Sequence, residues 1–149
     1  MGWPLLTCVG GGFFLYIQFV WIINLIILAQ HNEIGKIGEE LAVAHLCQQG
    51  WKILATNWRF KRAEIDIIAM DGNTLVFVEV KTRSTIYFGT PEQFVNAKKK
   101  LFLAKAASAY MEEIGHDWEI RFDIISVLLP RGKEQEIKHF KDAFFPGLL

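Results

Sequence analysis

The sequence is poor in cysteine and proline, with two and four residues among 149. Cys8 and Cys47 stand outside any CxxC or Cys/His spacing. That excludes a disulfide framework and a thiolate zinc site, and it fits a reducing compartment. No Pro/Ser-rich linker, internal repeat or low-complexity tract interrupts the chain. Sixteen basic residues balance sixteen acidic ones, which excludes a histone-like polycation but not a local patch that binds nucleic acid. No glycine-rich loop of the P-loop or dinucleotide type is present, so nothing points to nucleotide-driven chemistry. The four histidines, His31, His45, His116 and His139, lack metal-ligand spacing and read as surface or capping residues.

Charge is absent from the first 32 residues, of which 21 are hydrophobic; all 32 charged residues lie from Glu33 onward. Residues 1–29 therefore read as a hydrophobic N-terminal segment and 30–149 as a domain of ordinary globular composition. Phe13–Ala29 is apolar except for Gln18 and Asn24, and at ~1.5 Å per helical residue it approaches the ~30 Å of a bilayer core. No Lys or Arg precedes it and no small-residue cleavage site follows, so a signal peptide fits poorly. Two readings stand. One is a transmembrane anchor that holds the charged domain at the cytoplasmic side of an inner membrane, with the membrane a partner only if residues 13–29 are retained and inserted. The other is a stretch translated from an upstream start and absent from the working protein, which would then be cytoplasmic. The latter needs a start at a non-Met codon, because no methionine lies between Met1 and Met70.

The charged part reads as helix, three strands, helix, strand: an α/β fold around a small mixed β-sheet flanked by helices. Asn32 caps a helix over 33–49, with Glu39, Ala42, Val43 and Leu46 on one face and Cys47 as a small core residue. Strands follow at Lys52–Phe60, Glu64–Met70 and Thr74–Thr82, with Asp71-Gly72 as a hairpin signal. Thr90-Pro91 opens a second helix that carries Leu103, Ala107, Tyr110 and Ile114 in register and stops at Gly115. Arg121–Leu129 is a further strand, and a final strand or short helix runs through Glu136–Phe145.

The chemistry concentrates in Glu64-Ile65-Asp66 and Val78-Glu79-Val80-Lys81. Alternation puts Glu64, Asp66 and Ile68 on one face of their strand, and Phe77, Glu79 and Lys81 on one face of the next. A two-residue loop at Asp71-Gly72 would set Asp66 opposite Phe77 and diagonal to Glu79, within reach of a shared ion. Unpaired charge on apolar strands is costly, and a hard cation such as Mg²⁺ or Mn²⁺ would offset it. Lys81 could then orient or deprotonate an attacking water, and Glu39 could add a helical carboxylate. The alternative is a structural ion pair, Asp66–Lys81 or Glu79–Lys81, on a solvated sheet face.

Residues 35–129 resemble the YraN-like family, small bacterial proteins of uncharacterised role with a restriction-endonuclease-like (tRNA-endonuclease-like) fold, related to Holliday-junction resolvases. The resemblance rests on Gly35-x-x-Gly38-Glu39-x-x-Ala42, Asn57-Trp58-Arg59, Glu64-Ile65-Asp66, Phe77-Val78-Glu79-Val80-Lys81-Thr82-Arg83, Phe88-Gly89-x-Pro91 and Arg121-Phe122-Asp123. It implies an αβββαβ core and a metal-dependent endonuclease site built from Asp66, Glu79 and Lys81. Glu39 would be its helical carboxylate, and the Val80 carbonyl a further metal ligand. Ala63 departs from the glycine usual in that family, which touches backbone shape and not the ligands. By analogy with junction-cutting relatives, a homodimer is also compatible.

Arg59, Arg62 and Arg83 flank this constellation and read as phosphate contacts, DNA being the expected partner. The run Lys98–Lys100, with Lys105, reads equally as a solvated helix face. Trp51, Trp58, Phe60 and Tyr87 read either as stacking platforms for unpaired bases or as core aromatics. Asp123 reads as an ion-pair partner of Arg121. A non-catalytic nucleic-acid-binding module of the same fold is the alternative to the nuclease.

Overall fold

The structure, a computed structural model, describes residues 32–84, 95–132 and 134–145. The hydrophobic stretch 13–29, Tyr87, the Phe88-Gly89-x-Pro91 motif and the Thr90-Pro91 helix start lie outside the described residues. Among those described, no helix is long and apolar enough to cross a membrane.

Helix α1 spans residues 32–48. It is followed by β1 (Lys52–Phe60), β2 (Ala63–Asp71), β3 (Thr74–Arg83), α2 (Ala97–Ile114), β4 (Ile120–Leu128) and β5 (Glu136–Phe140). The strands form one mixed sheet in the order β1-β2-β3-β4-β5. The pairs are antiparallel except β3 with β4, which α2 connects as a crossover. The order αβββαβ is that of the expected core, with β5 added at the edge.

Each sheet face has its own apolar layer. Ala42 and Leu46 of α1 pack with Ile67, Ala69, Val76, Val78, Val80, Ile125 and Val127. Leu103, Ala106, Ala107 and Tyr110 of α2 pack with Ile68, Leu75, Phe77, Phe122 and Ile124. Fully burying such side chains stabilises by about 1.5–3 kcal/mol each, so these two layers hold both helices on the sheet. Gly38 sets the fit of α1: a Cβ there would lie 1.8 Å from Thr82 Oγ1. The helix thus rests its backbone directly on the far end of β3.

Several expectations are corrected by the coordinates. The hairpin loop is Gly72-Asn73 and not Asp71-Gly72: Asp71 pairs with Thr74, and Ile68, not Asp66, faces Phe77. Gly72 supplies the positive φ of 61° that the tight loop requires. No helix runs continuously from Thr90, because Val95 and Asn96 are non-helical. Asn96 is extended (ψ 164°), and its side chain accepts from Lys99 N, which caps α2 at Ala97. Ile114 is exposed at the helix end, and Gly115 closes it in the left-handed conformation. Cys47 is exposed, because Ala42 and Leu46 already fill the buried stripe of α1.

Two histidines are also internal and not superficial. His116 is buried and its Nε2 lies 3.1 Å from the Glu119 carbonyl. The His139 side chain is 8% exposed and pairs with Asp123 at 2.8 Å. Asp123, fully buried, also accepts from Arg121 and from the Asp142 N–H. Arg121 reaches Asp71 as well and lies over the buried Trp51 ring. The Arg121-Phe122-Asp123 motif therefore ties the edge strand and its following turn to the sheet. Trp51 belongs to the core and is closed to bases.

Candidate active site

The site sits where the sheet forks. β2 and β3 pair only from Asp71↔Thr74 to Ile67↔Val78, after which β3 continues alone against β4 as far as Arg83. Asp66 is the first β2 residue past this ladder and Glu79 the first of β3, so the two acids stand at the fork itself. Strict alternation fails at the same point: Ile65 joins the α2-side layer, whereas Ile67 joins the α1-side layer. In the neighbouring strand, Asn57 takes a left-handed φ of 51° at the step left unpaired between Thr56↔Ile67 and Trp58↔Ile65. β2 therefore rotates at Asp66, and the ladder bond that β3 loses is replaced by a side chain: Val80 N–H donates to Asp66 Oδ2 at 2.7 Å.

The Glu79 charge acts on Asp66 across this fork, so the two carboxylates repel when both are ionised. The molecule meets this in two ways. Burial, and then the Glu79 charge, push the Asp66 carboxyl up to about 7, against the opposing pull of the Val80 N–H, Lys99 and Lys81. Glu79, whose side chain is 2% exposed, is contacted by two ammonium groups, Lys81 Nζ and Lys99 Nζ, both on Oε1. Burial alone would lower the Lys99 ammonium, but the charge and hydrogen bond of Glu79 outweigh it and hold Lys99 above the usual lysine range. Glu79 Oε2 is buried with no hydrogen-bond partner. Among the described residues Asp66 Oδ1 also takes none.

A cleft of about 380 Å³ opens at Asp66, lined also by Arg62, Glu64, Asn96, Lys98 and Lys99, while the buried Glu79 lies outside its lining. Asp66, Glu79 and Lys81 thus come together as the strand pattern suggested. Val80, between the last two, is tied to Asp66 through its N–H. Arg62 joins the cleft wall from the β1–β2 turn. Arg59 is exposed and pairs with Glu64, also a cleft residue, at 3.2 Å. Arg83 ends β3, and its carbonyl accepts from Leu129 N. Glu39 does not join the pair. It follows Gly38 on the α1 face, which packs on the Val76–Val78–Val80 side, whereas Glu79 and Lys81 belong to the α2 side. Among the described residues Glu39 makes no ion pair, and no three His, Cys, Asp or Glu side chains gather into a metal-binding group.

Lys99 and its cap Asn96 were not singled out by spacing. A signal was present: three consecutive lysines fill the first turn of a helix, the end whose dipole disfavours cations, and no acidic residue accompanies them. Such a placement calls for an anionic partner elsewhere, and the partner is Glu79.

The donor set fits a hard divalent cation. A carboxylate that lines the cleft, Asp66, and a buried one that acts on it and keeps an orphaned oxygen, Glu79, are the kind of oxygen donors that Mg²⁺ or Mn²⁺ uses beside waters and substrate phosphate. A forked mixed sheet with paired acids and lysines at the fork defines an α/β domain with an acid–lysine site. The chain belongs to the uncharacterised protein family UPF0102, which matches residues 38–127 and is the YraN-like family its motifs resemble. A UPF0102 protein of Flavobacterium psychrophilum is 53% identical over 118 residues, 79% of this chain and 98% of that relative. One from Bacteroides thetaiotaomicron is 46% identical over 121 residues, 81% of this chain and 99% of the relative. Among solved structures, the chain is similar to Archaeoglobus fulgidus Hjc, a Holliday junction resolvase from an archaeal hyperthermophile. The TM-score is 0.39 at 17% identity, covering 72% of this chain and 86% of that one. Nothing about activity follows from a likeness at that level.

Proposed function

We propose that the protein is a divalent-metal-dependent phosphodiesterase that cuts nucleic acid, with DNA as its first substrate class. The observation that carries this reading is that Asp66 and the buried Glu79 act on each other at the sheet fork, beside Lys81, with one Glu79 oxygen left without a partner. A bound Mg²⁺ or Mn²⁺ would supply charge neutralisation at the phosphate and a more acidic water. Asp66 and Glu79 would hold it, with the Val80 carbonyl as a further oxygen donor; Glu39, on the α1 side of the sheet, takes no part. Lys81 Nζ, already at the Glu79 carboxylate, would orient the attacking water and offset negative charge as it develops on the phosphate. Arg62 and Lys98 on the cleft wall, with Arg59 and Arg83 beyond, would hold the flanking phosphates.

The test is a cleavage screen of the full chain on linear, nicked, flapped and four-way DNA with Mg²⁺ or Mn²⁺. Cleavage is expected to vanish in chelator, in Asp66→Ala and in Lys81→Ala, while the circular-dichroism spectrum is retained. Cutting that survives in both variants would refute the reading. One observation favours a second reading, a non-catalytic nucleic-acid-binding module: the two acids are already matched by Lys81 and Lys99 without any cation. That module would bind DNA tightly and salt-sensitively, with no response to metal.

A further inference from the structure

Glu79 is held by two ammonium groups on the same oxygen, and they differ in kind. Lys81 comes from the same strand, two residues on, and is 26% exposed; Lys99 comes from α2 and is 39% exposed. Its neighbours do not share its position: Lys100 lies over the Phe144 ring, and Lys98 is exposed. The backbone of Lys99 is fixed, because its N–H donates to the Asn96 cap at 2.9 Å. Only its four-carbon stem is left to move, within a cleft that it lines itself.

We propose that Lys99 is an exchange residue: it occupies Glu79 while no cation is bound and passes to the substrate phosphate when a cation takes its place. This inference rests on the metal-dependent reading above. Charge bookkeeping supports it. With both acids ionised, Asp66, Glu79, Lys81 and Lys99 sum to zero, so these four groups add no attraction for an anion to that of Arg62 and Lys98 on the cleft wall. A divalent cation on the two carboxylates raises the sum to +2. One phosphodiester and one hydroxide return it to zero. The entering cation also repels Lys99 from Glu79 Oε1, and the nearest new anion is the phosphate in the same cleft. Lys81 is the more enclosed of the two and stays at the carboxylate.

The experiment is an Mn²⁺ titration of the full chain without nucleic acid, read by water-proton relaxation, in wild type, Lys99→Ala, Lys99→Gln and Lys99→Arg. Each protein is checked for its folded circular-dichroism spectrum. The Ala and Gln variants are expected to bind Mn²⁺ about tenfold more tightly, since a competing charge is gone, and the Arg variant to stay near wild type. In the same proteins, the gain in duplex-DNA affinity on adding Mn²⁺ is expected to be present in wild type and lost in Lys99→Ala. Unchanged or weaker Mn²⁺ affinity in folded Ala and Gln variants overturns the proposal, as does the absence of Mn²⁺ binding in all four proteins. A wild type that binds Mn²⁺ yet cuts no DNA ends the nuclease reading alone, because both exchange readouts remain.

Discussion

At the scale of single residues, the half-buried Asp66 and the fully buried Asp123 are shifted in opposite directions. Asp66 is raised from 3.8 to about 7, so the folded protein prefers it protonated. The cost of ionising it appears as pH rises from about 4 to 7 and is complete above that window. Asp66→Asn keeps an oxygen for Val80 N–H and removes that cost. The metal-free variant is expected to be more stable than wild type above pH 7, by about 2–4 kcal/mol, with the difference fading towards pH 4. Denaturant melts across that range check it, and a pH-independent difference would contradict it. Asp123 is pulled down by His139 and Arg121 in spite of its burial, so its contribution is present above about pH 4 and lost as acid protonates it. Asp123→Ala is expected to cost about 3 kcal/mol, because it strips a half-buried guanidinium of one of its two carboxylates and a largely enclosed imidazole of its partner. Its Mn²⁺ binding should equal that of wild type. Asp66, Glu79 and Lys81 were legible from the chain because charge on otherwise apolar strands has few explanations. Lys99 was not, since a lysine run on a helix resembles a solvated face until the opposing strand is in place.

At the scale of elements, the first four strands fall where the apolar runs place them, the ends of β2, β3 and β4 moving by no more than a residue or two, while the last segment, open between strand and short helix over 136–145, is a strand that ends at Phe140. What pattern could not supply is how they meet. The loop at Gly72-Asn73 sets Ile68 opposite Phe77 and leaves Asp66 just past the end of the ladder, beside the first unpaired step of β3. The break in alternation at Asp66 depends on Asn57 in the adjacent strand, a non-local effect with no local signature. Gly38 was visible as part of a Gly-x-x-Gly-Glu motif, but its reason is the approach of α1 to Thr82. Gly38→Ala forces a Cβ into that contact and is expected to cost about 1–3 kcal/mol by thermal melting. A neutral Gly38→Ala would show that α1 can lift from β3 freely.

At the scale of the whole molecule, a chain of zero formal charge separates its charges by place. Arg62, Lys98 and Lys99 line the cleft at the fork, while the Asp71–Arg121–Asp123–His139 network closes on itself by the hairpin end of the sheet. Nucleic-acid binding is therefore expected to fall steeply with salt in spite of the neutral total, and charge reversal at Arg62 to weaken it more than reversal at Lys138 on the edge strand. Gel-shift assays at two salt concentrations measure both.

The claim on which the rest depends is that Asp66 and Glu79 share a divalent ion. A crystal of the full chain soaked in Mn²⁺ and recorded at an anomalous wavelength tests it most directly. The expected result is an anomalous peak bonded to both carboxylates, with Lys99 withdrawn from Glu79. Density that leaves Lys81 and Lys99 on Glu79, with no ion between the two acids at saturating Mn²⁺, would contradict it.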